Sequence, residues 1–337
     1  MVTLFSATMT AIVFRRDHAS EVLLREDTMS SRAMRSNVVV GVDGSPASDA
    51  AVRWAAREAM MRVLPIKLIN VVAPTLVSSA MAPNHTITQD EELQARQILK
   101  QARQVIEELA GEKRPDIYTE RVYDGVVPTL VNASNDAQMV VVGSSRRAFG
   151  RGMLGPVIAG LLHHANCPVT DFPDPESAQH GACDAPVLVG IDGSTASEGA
   201  AAVAFDEASR RGIPLLAVQA WSDVGVFPIL GMDWRTYRDQ GAELLGERLA
   251  GWQERYPDVE VRRRLVCDVP DRWLVDESKN AQLVVLGSDG RGGYAGMHLG
   301  SVTSAVVRSA RVPVIVVRDG CNGSADHQWI RRVWGWI

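Results

Sequence analysis

Short runs of consecutive aliphatic residues recur along the chain, separated by longer stretches in which apolar residues return every three or four positions. In the first half the runs lie at Val38–Asp43, Ile66–Val72, Ile117–Tyr123, Met139–Gly143 and Pro168–Phe172. In the second they lie at Val187–Asp192, Leu215–Trp221, Glu260–Val266, Leu283–Gly287 and Pro313–Arg318. Nearly continuous Val- and Ile-rich runs of this length read as strands covered on both faces, the pattern of a parallel sheet between helices. Helices are predicted between the first set at Ser48–Arg62, Asp90–Ala110, Val127–Asn135 and Pro156–His164. Strand and helix in strict alternation, with right-handed crossovers, predict doubly wound α/β architecture.

The pattern occurs twice because the sequence does. VVVGVDGSPAS at Val38–Ser48 matches VLVGIDGSTAS at Val187–Ser197, an offset of 149 from Asp43 to Asp192. Pro65 and Pro214 keep that offset, while Gly143 and Gly287, in MVVVGSS and LVVLGSD, are 144 apart. Nearly constant offsets mean duplication with small insertions and deletions. The chain therefore divides into an unrepeated extension (1–36), a first domain (37–173), a linker (174–185), a second domain (186–319) and a tail (320–337). The linker is dense in Pro, Asp, Ser and Gly, and the tail carries three Trp and two Arg. The fold class expected is α/β, as two tandem doubly wound domains with five-stranded parallel sheets.

Composition narrows the function classes. With 337 residues, 46% hydrophobic and 22% charged, the chain can bury two cores. No apolar run reaches the roughly 18 residues a membrane span needs, and residues 1–10 lack a basic signal-peptide start, so a cytoplasmic protein is expected. Four cysteines without a CxxC pair predict neither a disulfide framework nor a zinc site. A net charge of −5 argues against a nucleic-acid footprint spread over the surface. His163, His164 and Cys167 have metal-like spacing but lie where a helix meets a strand, and no metal site is assigned. Arg262–Arg264 read as a solvated edge feature.

The chemistry concentrates after the fourth strand of the second copy, in GSDGRGGYAGMHLGSVT from Gly287 to Thr303. Gly287 and Gly290 are expected to take positive φ and let backbone approach a ligand. Gly300 and Ser301 are expected to offer free N–H groups and a hydroxyl at a helix N-terminus, where the dipole favours anions. Asp192 ends the first strand beside the topological switch point, where its carboxylate could accept from a ribose hydroxyl or a base amine. The plain alternatives are an Asx turn for Asp-Gly-Ser and mere flexibility for the glycines. Both features at one switch point favour nucleotide or phosphate binding. Neither GxxxxGK[ST] nor GxGxxG directly after the first strand is present.

These residues resemble the universal stress protein family, in the tandem form known from mycobacteria and related actinobacteria. Its strand-one Asp and its Gly-x2-Gly-x9-Gly-Ser loop stand here as Asp192 and Gly287, Gly290, Gly300, Ser301, with Val302 and Thr303 following, and the likeness runs from Val38 to Asp319. The resemblance implies strand order 3-2-1-4-5, a fold shared with adenine nucleotide alpha hydrolase-like proteins. It also implies ATP with Mg, adenine near Ile191, Asp192 and the strand-two backbone around Val218, and last strands that pair across a domain or homodimer interface. The function implied is a nucleotide-responsive stress or dormancy regulator whose protein partner the sequence does not name.

The first copy departs from that loop. In GSSRRAFGRGMLGPVI, Arg146 stands for Gly290, Pro156 for Ser301 and Ile158 for Thr303. Proline deletes a backbone donor and a hydroxyl together, though it suits the first turn of a helix. The expectation is one competent ATP site and one impaired one, whose weaker set is Asp43, Val71, Gly143 and Gly155. The counter-reading is that Arg146, Arg147 and Arg151 replace lost hydrogen bonds with charge. Strand five of this copy, interrupted by Thr170 and Asp171, is expected to pair only briefly across the domains. No positioned general base stands out, so a binding module is favoured over a slow ATPase or nucleotide hydrolase. A scaffold of this fold without nucleotide is the third option.

Overall fold

A computed structural model describes residues 37–72, 89–144, 153–173, 184–220, 234–266, 270–290 and 299–318. The extension, the tail, most of the linker and Arg146, Arg147 and Arg151 lie outside these residues. The first domain runs β1 (Asn37–Gly41), α1 (Pro46–Arg62), β2 (Ile66–Val71), α2 (Gln89–Ala110), β3 (Ile117–Val122), α3 (Val126–Ala133), β4 (Ala137–Ser144), α4 (Pro156–His164) and β5 (Val169–Pro173). The second repeats it as β6 (Val187–Gly190), α5 (Thr195–Arg211), β7 (Leu215–Ala220), α6 (Trp234–Arg255), β8 (Val261–Val266), α7 (Pro270–Ser278), β9 (Leu283–Gly287), α8 (Ser301–Ser309) and β10 (Val314–Val317).

Each half has the order 3-2-1-4-5 and is parallel throughout. The halves are not separate sheets, however: β5 and β10 pair antiparallel, giving one sheet of ten strands in the order β3-β2-β1-β4-β5-β10-β9-β6-β7-β8. That junction is short, with Val169, Thr170 and Asp171 opposite Val316, Ile315 and Val314. One face carries α1, α2, α5 and α6 over Val38, Val40, Val187, Val189 and Ile315. The other carries α3, α4, α7 and α8 over Val39, Val140, Val284 and Val316. Both apolar layers cross the domain boundary, so folding buries the two halves against each other.

Local sequence starts and stops the helices. Ser45 and Ser194 cap α1 and α5 by accepting from the N–H of Ser48 and Ser197, each at 3.2 Å. Both helices end in a left-handed residue, Gly212 (φ 64) after α5 but Val63 (φ 53) after α1. The duplication thus leaves a β-branched residue where its twin has the glycine that position prefers. The sheet ends at edge strands β3 and β8. On β8, Arg262, Arg263 and Arg264 are exposed and held by Glu260 (2.8 Å), Gln253 (2.5 Å) and Glu277. A charged edge of this kind discourages strand addition.

Candidate functional site

The carboxyl ends of β6 and β9 meet at the switch point of the second domain, and two turns cover them. The first is Asp192-Gly193-Ser194. Asp192 Oδ1 accepts from the N–H (2.9 Å) and hydroxyl (2.7 Å) of Ser194, an Asx turn that leads into α5. Gly193, at φ 81, makes the turn. The second is Ser288-Asp289-Gly290. The Ser194 hydroxyl, whose one proton is shared between Asp192 Oδ1 and the more distant Asp289 O (3.3 Å), reaches this turn, and Ser288 Oγ donates to the Asp289 carboxylate at 2.9 Å. The two turns are therefore one hydrogen-bonded unit, with Asp192 and Asp289 on it.

Two glycines of the loop have different work from that expected. Neither Gly287 nor Gly290 has positive φ. A Cβ on Gly287 would lie 2.8–2.9 Å from Ala196 and the Ser197 nitrogen, so this glycine lets β9 pack against the start of α5. Gly143 stands against Ala47 and Ser48 in the same way in the first domain. A Cβ on Gly290 would lie 2.7 Å from Asp192 Oδ2. Gly290 thus keeps space open beside a carboxylate.

The N-terminus of α8 completes the arrangement. Gly300 is its N-cap with no side-chain cap, and Ser304 N–H donates to Gly300 O at 2.9 Å. Gly300 N–H is itself used, donating to Ser288 O at 2.7 Å, which corrects the expectation of a free donor there. The amides of Ser301, Val302 and Thr303 have no acceptor among the described residues and lie in the first turn, where the dipole is positive. The Ser301 side chain is exposed. Thr303 Oγ1 is buried and donates to Gly287 O at 2.7 Å, so its hydroxyl ties α8 to β9 and only its amide faces the opening.

On strand two the residues named for the two domains do not occupy equivalent places. Ladder register aligns Gly41 with Ile69 and Gly190 with Val218. Val218 therefore matches Ile69, and the counterpart of Val71 is Ala220. Val218 is buried, and its carbonyl accepts from Ile191 N–H at 2.8 Å. Its backbone is committed to the sheet, and the strand's carboxyl end two residues later is what borders the site.

The first domain builds the same frame with fewer donors. Asp43 Oδ1 accepts from Ser45 N–H at 2.9 Å, repeating the Asx turn. Gly155 caps α4 without a side chain, but Pro156 occupies N1, so this end has two amides where α8 has three. Ile158 is packed in the core, in place of the Thr303 link. On the side facing α2, Ile98 covers Gly44, whereas the Arg248 guanidinium of α6 lies against Gly193.

A doubly wound sheet with a capless helix N-terminus and an Asx-turn carboxylate at its switch point, present twice in one chain, defines a tandem α/β protein with switch-point crevices. Its family follows from comparison: the universal stress protein family model matches twice, over residues 34–171 and 185–318, and the chain belongs to that family. A universal stress protein of Mycolicibacterium smegmatis is 49% identical over 293 residues, covering 86% of this chain and 99% of the relative. One from Mycobacterium tuberculosis is 49% identical over 296 residues, covering 86% and 100%. The crystal structure of a universal stress protein from Archaeoglobus fulgidus matches with a TM-score of 0.63 at 20% identity, covering 84% of this chain and 98% of that one, a likeness of fold. Among the described residues no helix is long and apolar enough to cross a membrane.

Proposed function

We propose that the second domain binds ATP with Mg, and that the protein acts as a nucleotide-responsive regulator rather than as a fast enzyme. The observation that carries this reading is the α8 N-terminus: three consecutive amides without acceptors among the described residues, beside Gly290, which leaves the space next to the Asp192 carboxylate open. Phosphate oxygens satisfy such donors, and the adenosine end then falls toward Ile191, Asp192 and the end of β7. Asp192 and Asp289 bring negative charge close to the phosphate position, so a divalent cation accompanying the nucleotide lowers the repulsion. In the first domain Pro156 removes one of the donors, and we infer that Asp43, Val71, Gly143 and Gly155 frame a weaker site.

Asp192 Oδ1 and Asp289 Oδ1 accept from serine hydroxyls and the Thr303 hydroxyl is turned inward, which favours positioning over general-base work for these groups. ATP then works by linkage, stabilising the conformation that binds it and shifting the population toward it. Calorimetric titration with ATP and Mg tests the proposal. One strong site per chain is expected. Ser301→Pro, which copies the first domain, deletes one amide contact to a charged group, about 1.5–3 kcal/mol, and weakens binding tenfold or more. No heat of binding from the unaltered chain, or full affinity in Ser301→Pro, contradicts the assignment. Phosphate release at ordinary enzymatic rates, abolished by Asp192→Ala, would instead favour the hydrolase.

A further inference from the structure

Among the described residues the densest charged cluster lies away from both crevices, where α1 and α5 meet across the domain boundary. Glu58 and Arg62 of α1 are one helical turn apart, and Glu207 and Arg211 of α5 occupy the same places at an offset of 149. The pairs interlock: Arg62 binds Glu58 (3.2 Å), Asp206 (2.9 Å) and Glu207, while Arg211 binds Glu207 (2.9 Å) and Glu58. Both glutamates have 0% side-chain exposure, Arg62 1%, Asp206 9% and Arg211 15%. The third arginine, Arg210, binds Asp206 at 2.7 Å but is 35% exposed. Three buried carboxylates thus face two well-buried guanidiniums, with the third cation at the rim.

We propose that this seam is operated by protons: the Glu58–Glu207 carboxylate pair takes up one proton when the two domains dock, so they hold together more tightly in mildly acidic than in mildly alkaline solution. The imbalance of buried charge is the cause, because an ionised carboxylate without a full counter-charge is costly away from water. Burial, and next the charge of Glu207, push the Glu58 carboxyl up from its ordinary 4.5 to about 7. Burial pushes Glu207 up as well, but Arg62 and then Arg211 prevail and hold it below the ordinary value. Of the other elements packed here, α6 brings one cation, Arg255, which is hydrogen-bonded to the Tyr256 phenol at the Asp206 side of the cluster and not to either glutamate in the ion pairs above. Tyr256, after α6, has its phenol raised by burial and by Asp206. Beneath the helices β10 offers Val314–Val317. On β5, Asp171 alternates with Phe172 and shares the face of Val169, on the far side of the sheet.

The sign follows from linkage. A carboxyl whose docked value lies above its solvated one binds a proton on docking, so its contribution is fully present below about 4.5 and is lost as pH rises through about 7. Glu207 works in reverse, its contribution being lost only as pH falls below 4.5. The two contributions are jointly largest near pH 4.5, and docking weakens progressively from there to about pH 7.

Two measurements on the full chain test this. Carbon-13 titration of glutamate carboxyls is expected to show one midpoint near 7, absent from Glu58→Gln. Hydrogen exchange at Val169, Asp171, Val314 and Val316, whose amides face the other domain in the β5–β10 ladder, is expected to lose about tenfold protection between pH 6 and pH 8 after correction for intrinsic rates, as one-proton linkage requires. In Glu58→Gln, which carries the neutral form permanently, that pH dependence is expected to vanish. A Glu58 midpoint below 5, or an unchanged pH dependence in Glu58→Gln, overturns the proposal. Should Glu58→Gln not fold, the carboxyl titration of the unaltered chain decides it alone.

Discussion

Gly287 and Gly290 are three residues apart on one loop, yet substitution separates them by mechanism. Gly287→Ala drives a methyl into the backbone at Ala196, which cannot yield cheaply. A loss of about 1–3 kcal/mol is expected by chemical denaturation, as for overpacked cores. Gly290→Ala meets the end of the Asp192 side chain, which can rotate away from its Asx position. That change is expected to leave stability within about 0.5 kcal/mol and to weaken ATP binding, since the carboxylate moves into the space kept for ligand. The reverse result, stability lost at Gly290 and binding lost alone at Gly287, would contradict the roles assigned here. Sequence named both glycines, because spacing is a linear property. Their separate tasks were not legible, because the neighbours each one admits are about 95 residues away in the chain.

Among the elements, α1 and α5 show duplication tolerating a local cost. Val63 sits at φ 53 and is 90% exposed, so little packing compensates its left-handed conformation. Val63→Gly, restoring the cap that Gly212 gives α5, is expected to raise stability by about 1 kcal/mol, read as a higher denaturation midpoint at unchanged slope. Strands and helices were legible to within two residues at their ends wherever apolar runs gave way to turn residues, as at Asp43-Gly44-Ser45. Helix α1 begins at Pro46, two residues before Ser48, because Ser45 rather than the following residues caps it and proline is accepted in the first turn. The tie made by the Thr303 hydroxyl was not legible for a different reason. Its partner, the Gly287 carbonyl, is left over at the end of β9, and a strand's unpaired carbonyl cannot be seen in sequence.

At the scale of the molecule, ten strands form one sheet because three residue pairs of β5 and β10 join two five-stranded halves, and α1 and α5 close over the join. The duplication, the strand order and the brevity of this pairing were all within reach of sequence. The seam was not. Glu58-x3-Arg62 and Glu207-x3-Arg211 each read as an ordinary i, i+4 pair on a solvated helix face. The signal that exposes them is their common offset, combined with Ala-rich helices that leave no clear polar face. Removing one partner strands buried charge, so Arg62→Met is expected to cost about 3–5 kcal/mol, measured by urea denaturation. A loss under about 1 kcal/mol would show that the network is balanced without Arg62.

The two halves share a frame but differ at their helix N-termini, Ser301 in one and Pro156 in the other. That difference is the basis for assigning ATP to the second domain. A crystal structure of the protein grown with ATP and Mg tests it most directly. The account predicts triphosphate density at the amides of Ser301–Thr303 and weaker density or none at Pro156–Ile158. Density at α4 alone, or at neither helix, would contradict it.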